Sequence, residues 1–116
     1  MSRLMSVSLT EDAVRERRKT VTRRKGWTFL RPGDRLTLCR KVMGRKPGEP
    51  LVRLAEVEVV SVRREMLGAI TRADVEREGF PEMHRADFVA FFREHMGTEP
   101  WQHVTRIEWR YLEAEA

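Results

Sequence analysis

Cysteine is almost absent from this sequence of 116 residues, and its one cysteine, Cys39, can form neither an internal disulfide nor a cysteine-rich zinc site. No uncharged apolar run approaches the roughly 20 residues that cross a bilayer, so no transmembrane helix is predicted. No apolar segment follows the polar start at Ser2 and Arg3, which argues against a signal peptide. We therefore expect an intracellular, cytoplasmic protein with no membrane partner, in which Cys39 is buried on a strand.

The motifs of several common active sites are also missing. The sequence has no glycine-rich phosphate loop and no dinucleotide-binding fingerprint. Its three histidines, His84, His95 and His103, are scattered, and no two have the spacing of a metal-binding helix. No nucleophile elbow supports a Ser/His/Asp triad. We expect neither a metal nor a cofactor.

Length and composition indicate one compact domain, residues 1–116, and exclude a two-domain enzyme. Hydrophobic residues make up 41% of the chain and charged residues 35%, so a modest core must lie beneath a strongly ionic surface. No internal repeat, low-complexity tract or linker divides the chain.

Positive charge is concentrated in the first half. Residues 1–58 carry 15 basic and 7 acidic side chains, whereas residues 59–116 carry 8 and 11. Seven of the basic residues lie in a span of eleven: Arg15, Arg17, Arg18, Lys19, Arg23, Arg24 and Lys25. Because a guanidinium can fork onto a phosphate or stack on a base, this basic run indicates an anionic partner such as RNA or a nucleotide. A solvated charged face is the alternative that the composition leaves open.

Alternating and helical patterns predict elements in the order β, α, β, β, β, α, α, β. Strands are predicted at residues 4–8, from residue 20, and at residues 35–40, 51–62 and 104–112, the fourth of them bent or bulged. Helices are predicted from Thr10, as cap, to about Arg18, from the Thr71 cap to Glu78, and from His84 to Met96, with Gly79 and Gly97 ending the last two. The predicted fold class is α+β, a small mixed or antiparallel β-barrel with two or three flanking helices.

The segment from Arg18 to Arg24 carries the most informative pattern. Strand alternation divides it into one face with Thr20, Thr22 and Arg24 and another with Lys19, Val21 and Arg23, unless the turn after the helix rotates Lys19 inward. A lysine that enters a walled cleft loses its proton more easily and becomes a candidate base or nucleophile. A solvated lysine at a helix end is the alternative.

Aromatic residues allow two interpretations. Trp27, directly after the basic run, and Trp101 can stack on the bases of a single-stranded nucleic acid, or they can plug the ends of a small barrel. The phenylalanines Phe88, Phe91 and Phe92 recur at helical spacing, which predicts a core-facing stripe.

Five segments, in this order and spacing, resemble the ASCH (activating signal cointegrator homology) domain: Arg18 to Arg24, Leu30 to Asp34, Val57 to Val62, Glu78 to Phe80 and Val104 to Trp109. The resemblance covers about residues 4–112. It implies a PUA-like barrel with helices beside it and a cleft that takes RNA, a nucleoside or a nucleotide. With the basic run, it predicts that the ligand is bound by Lys19, Thr20, Thr22, Arg23, Arg24 and Trp27.

The resemblance also implies a possible reaction. Some small bacterial ASCH members are amidohydrolases that remove the acetyl group from acetylcytidine, and others are described as ribonucleases. In the amidohydrolases a Lys, a Thr and a Glu form the catalytic set, and the matching residues here are Lys19, Thr22 and Glu78. Glu76 lies two residues from Glu78, so the sequence leaves open which of the two faces the cleft.

Two departures from the small amidohydrolases leave the substrate open. The chain carries an insertion at about residues 41–50, and it has a double arginine at Arg23 and Arg24. The sequence therefore leaves two functions open, metal-independent amide hydrolysis and ligand binding alone. The structural alternative is a buried ion pair between Lys19 and Glu78 that holds the fold without catalysing a reaction.

Overall fold

The computed structural model describes residues 2–113, which form five strands and three α-helices in the predicted order. The strands are β1 (Arg3–Ser6), β2 (Val21–Arg24), β3 (Arg35–Cys39), β4 (Arg53–Met66) and β5 (His103–Tyr111). The helices are α1 (Glu11–Arg15), α2 (Arg72–Arg77) and α3 (Arg85–Met96). Short 3₁₀ turns, Ser8–Thr10 and Leu67–Ala69, precede α1 and α2.

The five strands form one curled, mixed sheet in the order β1-β3-β4-β5-β2. β1 runs parallel to β3, and the other pairs are antiparallel. The predicted α+β architecture is confirmed as a half-barrel with helices beside it. The edge strands β1 and β2 are connected at their last residues. There, Arg24 Nη2 of β2 donates a hydrogen bond to the Ser6 carbonyl of β1 over 2.7 Å.

Strand β4 is longer than predicted and is bulged. Its pairing with β5 shifts register between Val59 and Ser61, which confirms the predicted irregularity. The strand then continues to Met66 rather than ending at Val62. Its charged last residues do not alternate with apolar ones, so the pattern missed them, but β5 pairs with their backbone throughout.

Two hydrophobic clusters pack on this sheet. The first fills the curl and contains Met5, Val7, Val14, Leu30, Leu36, Leu38, Val57, Val59, Ile107 and Trp109. The second lies under α2 and α3 and contains Leu67, Ile70, Val75, Phe88, Phe92 and Val104. Cys39 is fully buried on β3, as predicted. Among residues 2–113, no helix combines the length and the apolar character that a bilayer span requires.

Helix α1 ends three residues earlier than predicted. Arg17 adopts a left-handed conformation with φ of 59°, and the N–H groups of Arg18 and Lys19 both donate to the Ala13 carbonyl. This turn closes the helix and directs the chain into β2. Thr10 occupies the N-cap position of α1, as predicted, but it also ends the 3₁₀ turn and its side chain makes no capping hydrogen bond.

Helices α2 and α3 agree more closely with the pattern. The Thr71 hydroxyl accepts a hydrogen bond from the Asp74 N–H over 3.1 Å, as a capping residue does. Gly79 follows α2 with φ of +110°, and Gly97 ends α3 with φ of +64°. A Cβ on Gly79 would lie only 3.0 Å from Cβ of Ala13, so a glycine is required where α2 ends against α1.

Replacing Gly79 should therefore destabilise the fold more than replacing Gly97. Both Gly79→Ala and Gly97→Ala place a side chain at positive φ, which costs about 1–3 kcal/mol. Only Gly79→Ala adds a steric conflict, because nothing lies within 4 Å of a Cβ on Gly97. We expect urea denaturation to give the larger loss of unfolding free energy for Gly79→Ala. Equal losses would show that the close approach of α1 and α2 is unimportant.

Candidate functional site

A cavity of about 190 Å³ opens where β2, the Ser8–Thr10 turn, the end of α2 and helix α3 meet. Its polar lining is formed by Lys19, Thr22, Arg23, Arg24 and Glu78. Its apolar lining includes Phe80, Phe88, Phe91, Phe92 and Met96. A cavity of about 150 Å³ can hold benzene, so this one has room for a single aromatic ring.

Lys19 and Glu78 are in direct contact at the base of this cavity. Lys19 Nζ donates to Glu78 Oε1 over 3.0 Å and to the Glu78 backbone carbonyl over 2.7 Å. Lys19 is 3% exposed and Glu78 is 4% exposed. Glu76 is exposed and does not line the cavity, so Glu78 is the residue that faces it.

The backbone of Lys19 is held in place by the last strand. Trp109 Nε1 donates to the Lys19 carbonyl over 3.0 Å, and the Tyr111 hydroxyl donates to the same oxygen. The sequence analysis placed both residues on the last predicted strand and gave neither a role at the site. Their residue types could have indicated such a role, since a buried Trp or Tyr needs a hydrogen-bond partner for its N–H or O–H group.

The environment of Lys19 makes its proton easier to lose than that of an exposed lysine. Burial lowers the pKa of Lys19, the Glu78 carboxylate opposes this effect, and the positive charges of Arg24 and Arg23 add to the lowering. The amine can therefore lose its proton at a lower pH than an exposed lysine. Because Glu78 lies within hydrogen-bond distance, a proton can pass between the two groups.

Arg23 connects this pair to a buried ionic network. Its Nη1 donates to Glu78 Oε2 over 3.1 Å, its Nη2 to Asp74 Oδ2 over 2.6 Å, and its Nε to Glu65 over 3.1 Å. Arg106 on β5 donates to both oxygens of Asp74, over 2.7 and 3.1 Å. The network therefore joins β2, β4 and β5 to helix α2.

Asp74 is the centre of that network. Burial opposes its charged form, but hydrogen bonds from Arg106 and Arg23 outweigh burial and hold the pKa of the Asp74 carboxyl well below its usual range. Within residues 2–113, every deeply buried side-chain nitrogen and oxygen has a hydrogen-bond partner. In the same part of the chain, no three His, Cys, Asp or Glu side chains form a potential metal site.

Thr22 and Arg24 share the other face of β2. Arg24 Nε donates to Thr22 Oγ1 over 3.3 Å, so the Thr22 hydroxyl can donate its own hydrogen to a ligand. The predicted two-face alternation is present, since Lys19 and Arg23 both reach Glu78. Side chains from both faces line the cavity because β2 is an edge strand and the cavity lies beside that edge.

Two of the predicted ligand-binding residues do not line the cavity. Thr20 contributes backbone bonds, donating to the Arg77 carbonyl and accepting from the Trp109 N–H. Trp27 is half-buried against the core in the curl of the sheet, with its ring centre 5.5 Å from that of Phe29. Trp101 is 68% exposed and plugs no end of the barrel.

The basic run does not form one continuous patch. Its exposed arginines, Arg15, Arg17 and Arg18, pair with Glu11, Glu113 and Glu16. Lys19 and Arg23 are buried and bind carboxylates instead. Side chains of β2 alternate between its two faces, and α1 ends before the run is complete. The charges of the run therefore point in different directions.

Phe91 lines the cavity and was not among the predicted site residues. The predicted stripe is confirmed for Phe88 and Phe92, which are buried in the second core, but Phe91 is half-buried and lines the cavity. Its ring centre lies 5.2 Å from that of Phe80. The spacing of the phenylalanines could have distinguished Phe91 from the core residues. Phe88 and Phe92 are four residues apart on one helix face, and Phe91 lies beside that face.

No protein-family model matches the sequence, and no curated protein matches it at a significant level. Solved structures do match. The ASCH domain from Lactobacillus crispatus superposes with a TM-score of 0.59 at 14% identity, covering 95% of this chain and 79% of that one. The chain has an ASCH-like fold. The resemblance inferred from the five sequence segments is thereby confirmed at the level of the fold.

Two further solved structures also superpose on this chain. A point mutant of ZmASCH from Zymomonas mobilis gives a TM-score of 0.57 at 14% identity, covering 95% of this chain and 73% of that one. Protein EF3133 from Enterococcus faecalis, of the family DUF984, gives 0.71 at 12% identity, covering 97% and 80%. At such low identity these likenesses concern the ASCH-like fold alone.

The ionic network makes a prediction about acid stability. Because the pKa of Asp74 is lowered in the folded state, its contribution is complete above the unfolded value of about 3.9 and is lost as the pH falls below that value. We expect Asp74→Asn to lose about 3–5 kcal/mol of unfolding free energy at neutral pH, since Arg23 and Arg106 lose their shared carboxylate.

Urea denaturation across a series of pH values tests this expectation. The fall in unfolding free energy below about pH 4 should be shallower in Asp74→Asn than in the parent protein. Glu94→Gln, which changes an exposed carboxylate on α3, is the control and should alter stability by about 0.5 kcal/mol or less. An unchanged acid slope in Asp74→Asn would contradict the assigned role.

Proposed function

We propose that this chain binds a nucleoside-type ligand by inserting its base ring into the cavity. The observation that carries the proposal is the combination of a ring-sized volume, an aromatic lining and a hydrogen-bonding lining in one site. Stacking of a base on an aromatic side chain contributes about 1–3 kcal/mol. Polar groups on the other part of the lining can then read the edge of the base.

The same features favour a single base over a nucleic-acid duplex. Lys19, Arg23 and Glu78 are almost completely buried, so a stacked and paired base cannot reach them. An RNA strand can present only an unstacked base to such a cavity. RNA as a partner therefore stays a prediction from the resemblance, and a free nucleoside or nucleotide is the ligand supported by the cavity's size.

Truncating the aromatic lining should weaken binding. Phe91→Ala removes a half-buried ring from the cavity, and we expect the affinity for cytidine to fall by about tenfold, measured by isothermal titration calorimetry. Phe29→Ala is the matched control, because Phe29 is 53% exposed and does not line the cavity. Equal losses in both variants, or no cytidine binding to the parent protein, would count against this site.

Amide hydrolysis is the second candidate function, supported by the contact between Lys19 and Glu78. In this mechanism the neutral Lys19 amine accepts a proton from water as the water oxygen bonds to the acetyl carbonyl carbon of acetylcytidine. The Thr22 hydroxyl donates to the oxyanion that develops on the carbonyl oxygen. Glu78 helps to relay the proton to the exocyclic nitrogen, the C–N bond breaks, and cytidine and acetate are released.

Substitutions at the buried pair test this reaction. We expect Lys19→Ala and Glu78→Gln each to lower acetate release from acetylcytidine by about 10²–10⁴-fold, as general acid–base groups do. Glu76→Gln is the matched control on the exposed side of α2 and should keep the parent rate. Circular dichroism establishes that each variant is folded. Acetate release that survives Lys19→Ala would remove this candidate.

The dependence of the rate on pH provides an independent check. Because burial lowers the pKa of Lys19, kcat/KM should rise with pH through a value below the usual lysine value of about 10.4. A rate that does not change over this range would exclude the Lys19 amine as the base. If cytidine binds but no acylated cytidine is hydrolysed, the protein is a binding module, and ribonuclease activity stays a separate prediction.

A further inference from the structure

Arg24 differs from the other arginines that reach the sheet interior. Its Nη2 donates to the Ser6 carbonyl and its Nε donates to the Thr22 hydroxyl. Within residues 2–113 it forms no salt bridge and its Nη1 has no hydrogen-bond partner. Glu78 acts on Arg24 through space, but both Glu78 carboxylate oxygens already accept from Lys19 and Arg23.

Arg23 and Arg106 show the contrast. Arg23 donates to three carboxylates, and Arg106 donates to both oxygens of Asp74 and to Glu108. Burial lowers the pKa of Arg24. Burial acts in the same direction on Arg23, but there the hydrogen bonds that Arg23 donates to its carboxylate partners outweigh burial and raise the pKa. Arg24 is therefore a partly desolvated cation that lacks an anion on the side of the cavity.

The position of Arg24 indicates where that anion belongs. Lys19 and Glu78 are buried at the base of the cavity, whereas Arg24 is half-buried. Ser8 and Leu9, which are exposed, line the cavity close to the Ser6 carbonyl that Arg24 binds. An anion at Arg24 would lie towards solvent and remain partly hydrated, while a ring attached to it occupies the interior.

We propose that Arg24 binds the phosphate of a nucleotide whose base occupies the cavity, so that nucleoside monophosphates are preferred over uncharged nucleosides. This inference rests on the proposed function, because it assigns the charged part of the same ligand. The volume of about 190 Å³ accommodates the ring and leaves the phosphate at the solvent side. A guanidinium is suited to this role because its N–H groups can form paired hydrogen bonds with phosphate oxygens.

Calorimetric titrations with cytidine, cytidine monophosphate and inorganic phosphate at one ionic strength test the inference. We expect the monophosphate to bind about tenfold or more tightly than cytidine, and inorganic phosphate to bind far more weakly than the monophosphate. In Arg24→Gln the ratio of the affinity for cytidine monophosphate to the affinity for cytidine should fall towards one. Arg24→Lys, which keeps the charge without the fork, should give an intermediate ratio.

Lys25→Gln is the matched control, because Lys25 is the neighbouring exposed cation and does not line the cavity. It should keep the ratio of the parent protein, so a ratio that falls equally in Lys25→Gln would indicate general electrostatics and overturn the inference. Circular dichroism identifies any misfolded variant, and a folded Arg24→Gln variant that keeps the parent ratio would overturn the assignment to Arg24.

The titrations distinguish a failure of the phosphate inference from a failure of the proposed function. Cytidine and its monophosphate binding with equal affinity would overturn the role of Arg24 and leave the proposed function intact. Neither ligand binding would overturn both. Inorganic phosphate binding as tightly as the monophosphate would also overturn the inference, since the base would then contribute nothing.

Discussion

Buried charges that must find partners determine how this molecule is assembled. Arg23 and Arg106 lie beneath the helices, where an unpaired guanidinium would be strongly unfavourable, and Asp74 accepts hydrogen bonds from both. Because Asp74 lies on α2, the pairing holds that helix against β2 and β5. Glu78 at the end of α2 is thereby brought to Lys19, where both line the cavity.

The same pairing divides the basic residues into groups with different functions. Arg23 has its carboxylates within the protein and serves mainly to hold the network. Burial lowers the pKa of Lys19, and its two positive neighbours add to the lowering against one carboxylate, so its proton is held less firmly than that of an exposed lysine. Arg24 donates only to a backbone carbonyl and to the Thr22 hydroxyl. A run of positive charge in a sequence therefore need not become a positive surface.

The cavity lies between the two hydrophobic clusters and is lined by side chains from both. Phe88 and Phe92 complete the second core, and Phe91 beside them remains half-buried and available to a ring. The polar lining comes from β2, whose position at the sheet edge allows both of its faces to reach the cavity. An aromatic part and a hydrogen-bonding part thus meet where the curled sheet leaves a gap between its edge strands.

Local sequence patterns were sufficient for the order of the elements, the bulge in β4, the Thr71 cap and the glycine that ends α3, because each depends on neighbouring residues. They also marked Lys19, although not what it touches. Tertiary packing decided that Glu78 rather than Glu76 faces the cavity, that Trp27 lies outside it and that Phe91 lines it. The Lys19–Glu78 contact spans 59 positions, and no local pattern encodes which carboxylate a folded helix turns towards a strand so distant in sequence.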